Sequence, residues 1–340
     1  MIRLKDIAAR AGVSVMTVSK VLRDAPDIAA ATKARIRVLA DEMGYLPDTR
    51  AQSLRNRTTQ LFGLLIPSTT NPLFARIMMA VEEQAVAMGC DLLLAQTLNQ
   101  VEREQVALRR MQARRVDGLL IVPVYRLESQ AVVYDELLNR KMPTVVLGHR
   151  GSFCKDFVNV ETDDLAGAEA LTRHLLELGH RRIAFLAGSQ VIPAAQERLG
   201  GYRRALRDAG IEPDDSLVFA AGNTIEEGSQ AALQLLQEKC GATAVMAVND
   251  LAALGAGTVF LKQGLRIPED VSLTGFGNIL LSEFFRVPLT TVSVPKHGLG
   301  SAAMELMREL LRGENPASRR LPTELVVRQS TAAPPAAALL

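Results

Sequence analysis

A small all-α helix-turn-helix head followed by an α/β core of two parallel-sheet lobes is the fold class that the sequence predicts. Three observations carry it. Residues 5–22, KDIAARAGVSVMTVSKVL, hold two short apolar-periodic runs around Ala11-Gly12-Val13-Ser14. Residues 48–60, DTRAQSLRNRTTQ, are polar and basic. From Leu61 onward short apolar runs alternate with helical patterns, and the alternation starts again after Asn159.

In the head, Ile7, Ala8 and Ala11 share one face of a first helix; Val18, Val21 and Leu22 share one face of a second. Gly12 stands where a chain leaving a helix needs positive φ, and Ser14 where the next helix wants a capping oxygen. So short a connection makes the two helices cross steeply. Val15, Met16, Thr17, Ser19 and Lys20 are then spare on the outer face, a candidate DNA-reading surface; a helix pair in an unrelated helical domain would show the same pattern. Residues 32–43 carry a third helical pattern, closed by Gly44 and stopped by Pro47, which sets the head at 1–47. Residues 48–60 form a hinge. Ala51–Arg57 can make about two helical turns, too few to be stable alone in water. Within it Leu54 is an isolated apolar residue among Arg50, Arg55 and Arg57.

In the core, LFGLLIP (61–67), CDLLLA (90–95), GLLIV (118–122) and TVVLG (144–148) read as buried strands with helices between them. After a helix over 163–178, the strands RIAFLAG (182–188), LVFAA (217–221), AVMAVN (244–249) and SLTGF (272–276) alternate with helices over 196–209, 226–238 and 251–263. Such βαβ alternation predicts parallel sheets covered on both faces. The lobes are expected at about 61–160 with 290–320, and 161–289 with 321–330, within an effector-binding and dimerisation domain of 61–330. A ligand cleft belongs at the carboxyl ends of their strands. Segments 288–295 and 321–327 are strand candidates flanking a helix over 297–312, places for the chain to cross between lobes. The tail TAAPPAAALL, 331–340, has no heptads and is expected to be disordered.

Bulk composition limits function less than the distribution of charge does. The chain is 48% hydrophobic and 22% charged, with a net charge of +2. Residues 1–60 hold eleven Lys/Arg against six Asp/Glu, leaving 28 basic and 31 acidic residues beyond them. A basic head on a mildly acidic body suits a polyanion partner for the head alone. Cys90, Cys154 and Cys240 are far apart and read as reduced thiols, which with the absence of a signal-like start points to the cytoplasm. No apolar run reaches the roughly 18 residues of a membrane span.

Enzymatic chemistry has little support. There is no Walker loop, HExxH or GxSxG, and Gly255-Ala-Gly257 only half-matches a dinucleotide loop. His149, His174, His180 and His297 are scattered; His180 in LGHRR reads as a favourable charge at a helix end. The expectation is a protein that is not an enzyme and has no cofactor and no metal.

The segments KDIAARAGVSVMTVSKVL, MGYLPDTRAQSLRNRTT, LFGLLIPSTTNPLFARI, RRVDGLLIVP, LGHRRIAFLAG, ERLGGYRRAL, AVNDLAALGA and GLRIPEDVSLTGFGN, in that order, resemble the LacI/GalR family of bacterial transcription regulators. The resemblance runs to about residue 330, and the core also resembles periplasmic binding proteins. It implies a repressor that binds a pseudo-palindromic double-stranded DNA operator as a homodimer, away from any membrane, under the control of a small-molecule effector, a sugar or sugar derivative. By family position Val15, Met16 and Lys20 contact base edges, while Ser14, Thr17, Ser19 and Tyr45 bond phosphates. Leu54 matches the family's minor-groove leucine, which with its dimer mate wedges into and kinks the central step. The apolar pair Val15-Met16 departs from the polar pair of the lactose repressor and leaves any borrowed operator in doubt.

For the effector, family position implies Leu73, Phe74, Asp163, Arg198, Thr224, Asn249 and Asp250. Arg198 suits bidentate contact with hydroxyls or a carboxylate, but could be a solvated helix arginine beside Glu197. Asp163 could equally cap the helix before Leu165, and Phe74 could be core instead of a stacking face. Gly277, in GFGN, stands where many relatives have Asp, a departure at a position that normally helps hold the ligand. Ala29-Ala30-Ala31 replaces the usual Ser before the third helix, so the head is expected to be marginally stable without DNA. The alternative function is a solute receptor for transport; the basic head argues against it.

Overall fold

The computed structural model describes residues 2–45, 58–336 and 340. The chain divides into two compact units, Met1–Thr59 and Gln60–Leu340. Most of the expected hinge, Leu54 included, lies outside the described residues.

The head contains α1 (Leu4–Ala11), α2 (Val15–Leu22) and α3 (Ala30–Glu42). Gly12 leaves α1 with φ 66°, the left-handed conformation that a side chain disfavours, and Ser14 Oγ accepts the Thr17 N–H at 3.0 Å to start α2. Ile7, Ala8, Ala11, Val18, Val21, Ile36 and Ala40 close into a small core. Ala29 precedes α3 without a side-chain cap.

The core unit holds two six-stranded sheets. The first contains β1 (Leu61–Ile66), β2 (Asp91–Gln96), β3 (Gly118–Ile121), β4 (Thr144–Leu147), β5 (Val158–Thr162) and β11 (Arg319–Leu321), in the order β11-β5-β4-β3-β1-β2 with every pairing parallel. Helices α4 (Pro72–Ala87), α5 (Val101–Ala113) and α6 (Val132–Asn139) link its strands. The second contains β6 (Ile183–Ala187), β7 (Val218–Ala220), β8 (Ala244–Ala247), β9 (Ser272–Gly277), β10 (Thr290–Ser293) and β12 (Glu324–Val326), in the order β12-β10-β9-β8-β6-β7. Its strands are parallel except that β12 runs antiparallel to β10. Helices α7 (Asp164–Glu177), α8 (Pro193–Asp208), α9 (Ile225–Glu238), α10 (Asp250–Lys262) and the short α11 (Leu280–Phe284) belong to that lobe, whereas α12 (Lys296–Leu311) packs on α4 and on β4 and β5 of the first. Among the described residues no helix is long and apolar enough to cross a membrane.

Four features differ from the sequence expectations. The strand at 290–293 hydrogen-bonds to β9 and β12, so the first lobe resumes after Pro295 and not near 290. Residues 158–162 form a strand of the first sheet that the sequence pattern does not single out. The tail is not disordered where it is described. Thr331 Oγ1 lies 3.1 Å from His174 Nε2, Ala332 N–H donates to Ser272 Oγ at 3.0 Å, and Leu340 is buried in the second-lobe core. Nor does His180 act as a charge against a helix dipole. It is fully buried, with Nδ1 2.8 Å from Thr243 Oγ1 and Nε2 2.9 Å from the Ala332 carbonyl oxygen. A buried imidazole needs such partners, and the tail supplies one of them.

The missing cap and the buried histidine each have a measurable consequence. Replacing Ala29 with Ser restores the missing acceptor at α3, and thermal melts of the head fragment 1–60 are expected to show a gain of about 1 kcal/mol. Burial pushes the His180 pKa below its ordinary value, with His174 acting in the same direction. The unfolded chain therefore takes up a proton that the folded chain refuses, and stability falls as pH drops through about 6.5. Urea titrations across pH are expected to show a shallower acid-side decline for His180→Gln than for the unmodified chain.

Candidate functional site

The head presents its candidate surface on α2. Val15 and Met16 are 45% and 69% exposed, whereas Val18 and Val21 of the same helix are buried. Ser14 and Thr17 are engaged with each other, their hydroxyl oxygens 2.9 Å apart in the helix cap. Ser19 is half-buried, and Lys20 Nζ is held 2.5 Å from Asp27 Oδ2. Tyr45 packs against the head core, and its N–H donates to the Ala40 carbonyl at 2.9 Å.

The second site is a cavity of about 550 Å³ between the two sheets of the core. Its walls come from the carboxyl ends of strands: Pro67 after β1, Val122 and Tyr125 after β3, Gly148 and His149 after β4, Thr162 at the end of β5, Val248 and Asn249 after β8, and Phe276 on β9. Leu73 and Phe74 at the start of α4 also line it while leaning on the core. Asn71 caps that helix by accepting the Leu73 N–H at 3.0 Å.

Arg198 lies in the cavity wall, 15% exposed at its side chain. Its Nε and Nη2 are 2.7 and 2.6 Å from Asp164 Oδ1, and Nη1 donates to the Val248 carbonyl at 2.7 Å. The guanidinium also lies 3.9 Å from the Phe276 ring centroid. Of its five N–H groups, two remain for a ligand. Asp163 itself is absent from the wall. It caps α7 by accepting the Ala166 N–H at 3.1 Å and meets Arg320 at 2.9 Å, and the carboxylate facing the cavity is its neighbour Asp164.

The remaining expected residues line the cavity but are committed to structure. Thr224 Oγ1 accepts the Glu227 N–H at 3.2 Å to start α9. Asn249 Oδ1 accepts the Ala252 N–H at 2.8 Å to start α10, and its amide nitrogen reaches Asn223. Asp250 turns inward, accepting the Thr291 hydroxyl at 2.5 Å and the Ile279 N–H at 2.8 Å. Burial pushes its carboxyl above the ordinary range despite those bonds. A carboxylate at Gly277 would crowd it, since a Cβ there would lie 3.3 Å from Asp250 Oδ2 on a backbone with φ +131°.

Sequence reasoning missed His149, Tyr125 and Asp164. The Tyr125 hydroxyl donates to the His149 carbonyl at 2.7 Å, tying the loop after β3 to that after β4. His149 Nε2 lies 3.2 Å from Glu197 Oε2 and 3.7 Å from Asp164 Oδ2, in a direction that gives it no hydrogen bond. Burial acts to lower the His149 pKa, but the carboxylates of Glu197, Asp164 and Glu161 outweigh it and hold the pKa above its ordinary value. Burial opposes the Glu197 charge as well, yet contact with His149 and Arg320 holds that carboxyl at about 2. The signal that could have singled out His149 was its place just beyond the carboxyl end of a strand.

Known proteins agree with this two-part architecture. Residues 3–48 match the family model described as bacterial regulatory proteins, lacI family, and residues 172–331 match that of a periplasmic binding protein-like domain. The chain is 33% identical over 334 residues to the HTH-type transcriptional repressor CytR of Escherichia coli (strain K12), covering 98% of this chain and 97% of the relative. It is 32% identical over 334 residues to the HTH-type transcriptional repressor PurR of Photobacterium profundum, covering 97% and 98%. Among solved structures, the lac repressor dimer bound to operator and the anti-inducer ONPF superposes with a TM-score of 0.86 at 28% identity, covering 98% of this chain and 99% of that one. A complex of the transcriptional regulator CelR with cellobiose gives 0.71 at 30% identity, covering 97% and 100%. With relatives of such identity matched almost end to end, the chain belongs to the lacI family of bacterial regulatory proteins and is a DNA-binding transcription regulator.

Proposed function

We propose that this regulator represses transcription as a homodimer on a pseudo-palindromic operator, and that a small polyhydroxylated ligand in the core cavity sets its hold on DNA. The observation that carries the ligand reading is Arg198: a guanidinium in the wall of a cavity large enough for a small sugar, fixed by Asp164 and Val248, with two N–H groups to spare. Solved relatives support it, one bound to cellobiose and another, from Enterococcus faecium, to ribose. The head and near end-to-end similarity to repressors favour this reading over a transport receptor. A cytoplasmic location goes with it.

Val15, Met16 and Lys20 are the proposed base readers, with Ser14, Thr17, Ser19 and Tyr45 at phosphates and Leu54 at the centre of the site. Lys20 must exchange Asp27 for guanine acceptors, an exchange of two polar partners with a small net energy. Leu73, Phe74, Arg198, Thr224, Asn249 and Asp250 are proposed to line the ligand site, with Asp164 taking the place expected of Asp163. Two-fold symmetry follows from the need for two heads on one duplex. Exposed Leu280, Leu281 and Phe284 on α11 offer an apolar patch suited to such pairing.

Selection of bound sites from random DNA, repeated with a panel of carbohydrates, tests the reading as a whole. Leu54→Ala is expected to weaken operator binding in gel-shift titrations while leaving ligand binding intact; unchanged operator affinity sinks the Leu54 assignment. Lys20→Ala should cost about 1–3 kcal/mol at one base position and relax specificity there. Arg198→Lys loses the planar fork, and calorimetry is expected to show ligand affinity at least about tenfold weaker. DNA binding without ligand should persist in that variant, and its ligand affinity matching the unmodified chain would remove Arg198 from the site.

A further inference from the structure

We infer that the cavity wall holds a divalent cation of the zinc class, bound by His149 Nε2, Asp164 Oδ2 and Glu197 Oε2. The inference rests on reading the cavity as the ligand site and adds to it a second, inorganic occupant.

Geometry is the first argument. The ligand atoms of these residues lie within 4.8 Å of one another, with the nitrogen 3.2 Å from Glu197 and 3.7 Å from Asp164. A tetrahedral ion with bonds of about 2.1 Å separates its ligand atoms by about 3.4 Å. The nitrogen therefore needs shifts of only a few tenths of an ångström relative to either carboxylate. Nitrogen with two carboxylates is a donor set for zinc and its first-row neighbours, and three protein ligands leave a fourth position.

His149 supplies the independent observation. Its side chain is 8% exposed, yet Nε2 has no hydrogen-bond partner among the described residues. Its 3.2 Å ion pair with Glu197 is therefore off the hydrogen-bond direction, and a metal ion between the two would satisfy the nitrogen with the neutral imidazole. Asp164 is oriented for the task by the Thr162 hydroxyl, which donates to Oδ2 at 2.7 Å while Arg198 occupies Oδ1. Glu197 is oriented by Arg320, whose Nη1 and Nη2 lie 3.1 and 2.8 Å from its two oxygens. Such partners fix ligand direction in metal sites.

Charge points the same way. The ion-paired group comprises the carboxylates of Glu161, Asp163, Asp164 and Glu197 and the guanidiniums of Arg198 and Arg320. With His149 in the neutral form that a metal bond requires, two negative charges remain unbalanced in this group, which one dication cancels as the His149 proton is released. His149 and Asp164 both line the cavity, so an ion held between them and Glu197 would lie at its edge, within reach of a ligand oxygen or a water. The cation then becomes part of ligand recognition.

The test uses the full chain, stripped with a chelator and titrated with zinc by calorimetry and with cobalt(II) by visible absorption. One zinc per chain is expected, with the cobalt spectrum of a tetrahedral nitrogen–oxygen site. His149→Gln and Glu197→Gln should each weaken uptake by at least about tenfold. Absence of saturable zinc uptake in the unmodified chain overturns the proposal whatever the variants do. So does uptake unchanged in a His149→Gln protein whose melting curve matches the parent, because the ion then sits elsewhere. Carbohydrate binding is measured in parallel on the chelated and on the zinc-loaded protein. Carbohydrate binding without zinc uptake removes the metal and leaves the ligand reading standing, whereas zinc uptake without carbohydrate binding supports the metal and removes the carbohydrate.

Discussion

A guanidinium shut into the wall of a cavity has to be neutralised where it stands, because a partly desolvated charge without a partner costs several kcal/mol. Arg198 meets this demand through Asp164, and most of the cleft depends on the pair. Asp164 is the first residue of α7, immediately beyond the point where the chain leaves β5 of the first sheet for the second lobe. Arg198 comes from α8, reaches the carbonyl of Val248 after β8, and covers Phe276 on β9. One ion pair thus ties a crossing segment to three elements of the second lobe. Arg320 repeats the arrangement at another crossing, joining β11 to Glu161, Asp163 and Glu197. Asp163 N–H also donates to Leu321 carbonyl at 2.9 Å, and Thr323 hydroxyl to Asp163 carbonyl at 3.1 Å. Cleft wall and lobe connection are therefore built from the same side chains. A ligand that recruits Arg198 or Asp164 must act on the segments that join the lobes, which gives ligand binding a direct mechanical consequence.

Much of the fold was legible because parallel strands buried on both faces are continuous apolar runs. LFGLLI and AVMA declare themselves in this way. Strand β5 did not, since VNVET alternates polar and apolar residues and is held partly by β11, which lies far along the chain. The second-lobe position of β10 depends on its register with β9, which no local pattern reveals. The tail was misread for a similar reason. An Ala/Pro-rich composition says nothing about a buried histidine waiting for a carbonyl oxygen, and that is what Ala332 supplies.

The cleft was legible where residue chemistry is distinctive and illegible where position alone decides. Arg198 stood out as a fork-shaped donor. Asp163 and Asp164 could not be separated by sequence, because adjacent positions at a helix start face directions about 100° apart. The first became the cap and the second the cavity carboxylate. His149 follows a glycine on no periodic pattern, so only the sheet geometry exposes it. The head was readable almost to the residue, since Gly12 and Ser14 carry the local chemistry of a helix end and a helix start.

Gly277 sharpens what the cavity can select. With Asp250 turned inward on Thr291 and Ile279, a second carboxylate at 277 would face a buried acid across 3.3 Å from its own Cβ. Like charges so placed in a low-dielectric wall repel strongly. The glycine leaves the inward Asp250 uncrowded, whereas a Cβ at 277 would need Asp250 to give way by a few tenths of an ångström. Lys296 completes this side by donating to the carbonyls of Gly277 and Asn278 at 2.8 Å each, which spends its charge on the backbone. Other charged groups of the cavity lining include His149, Asp164 and Arg198, with Glu197 beside His149. Those three lining residues thus supply ionisable groups to the cavity, while Phe276, Leu73 and Phe74 supply apolar surface.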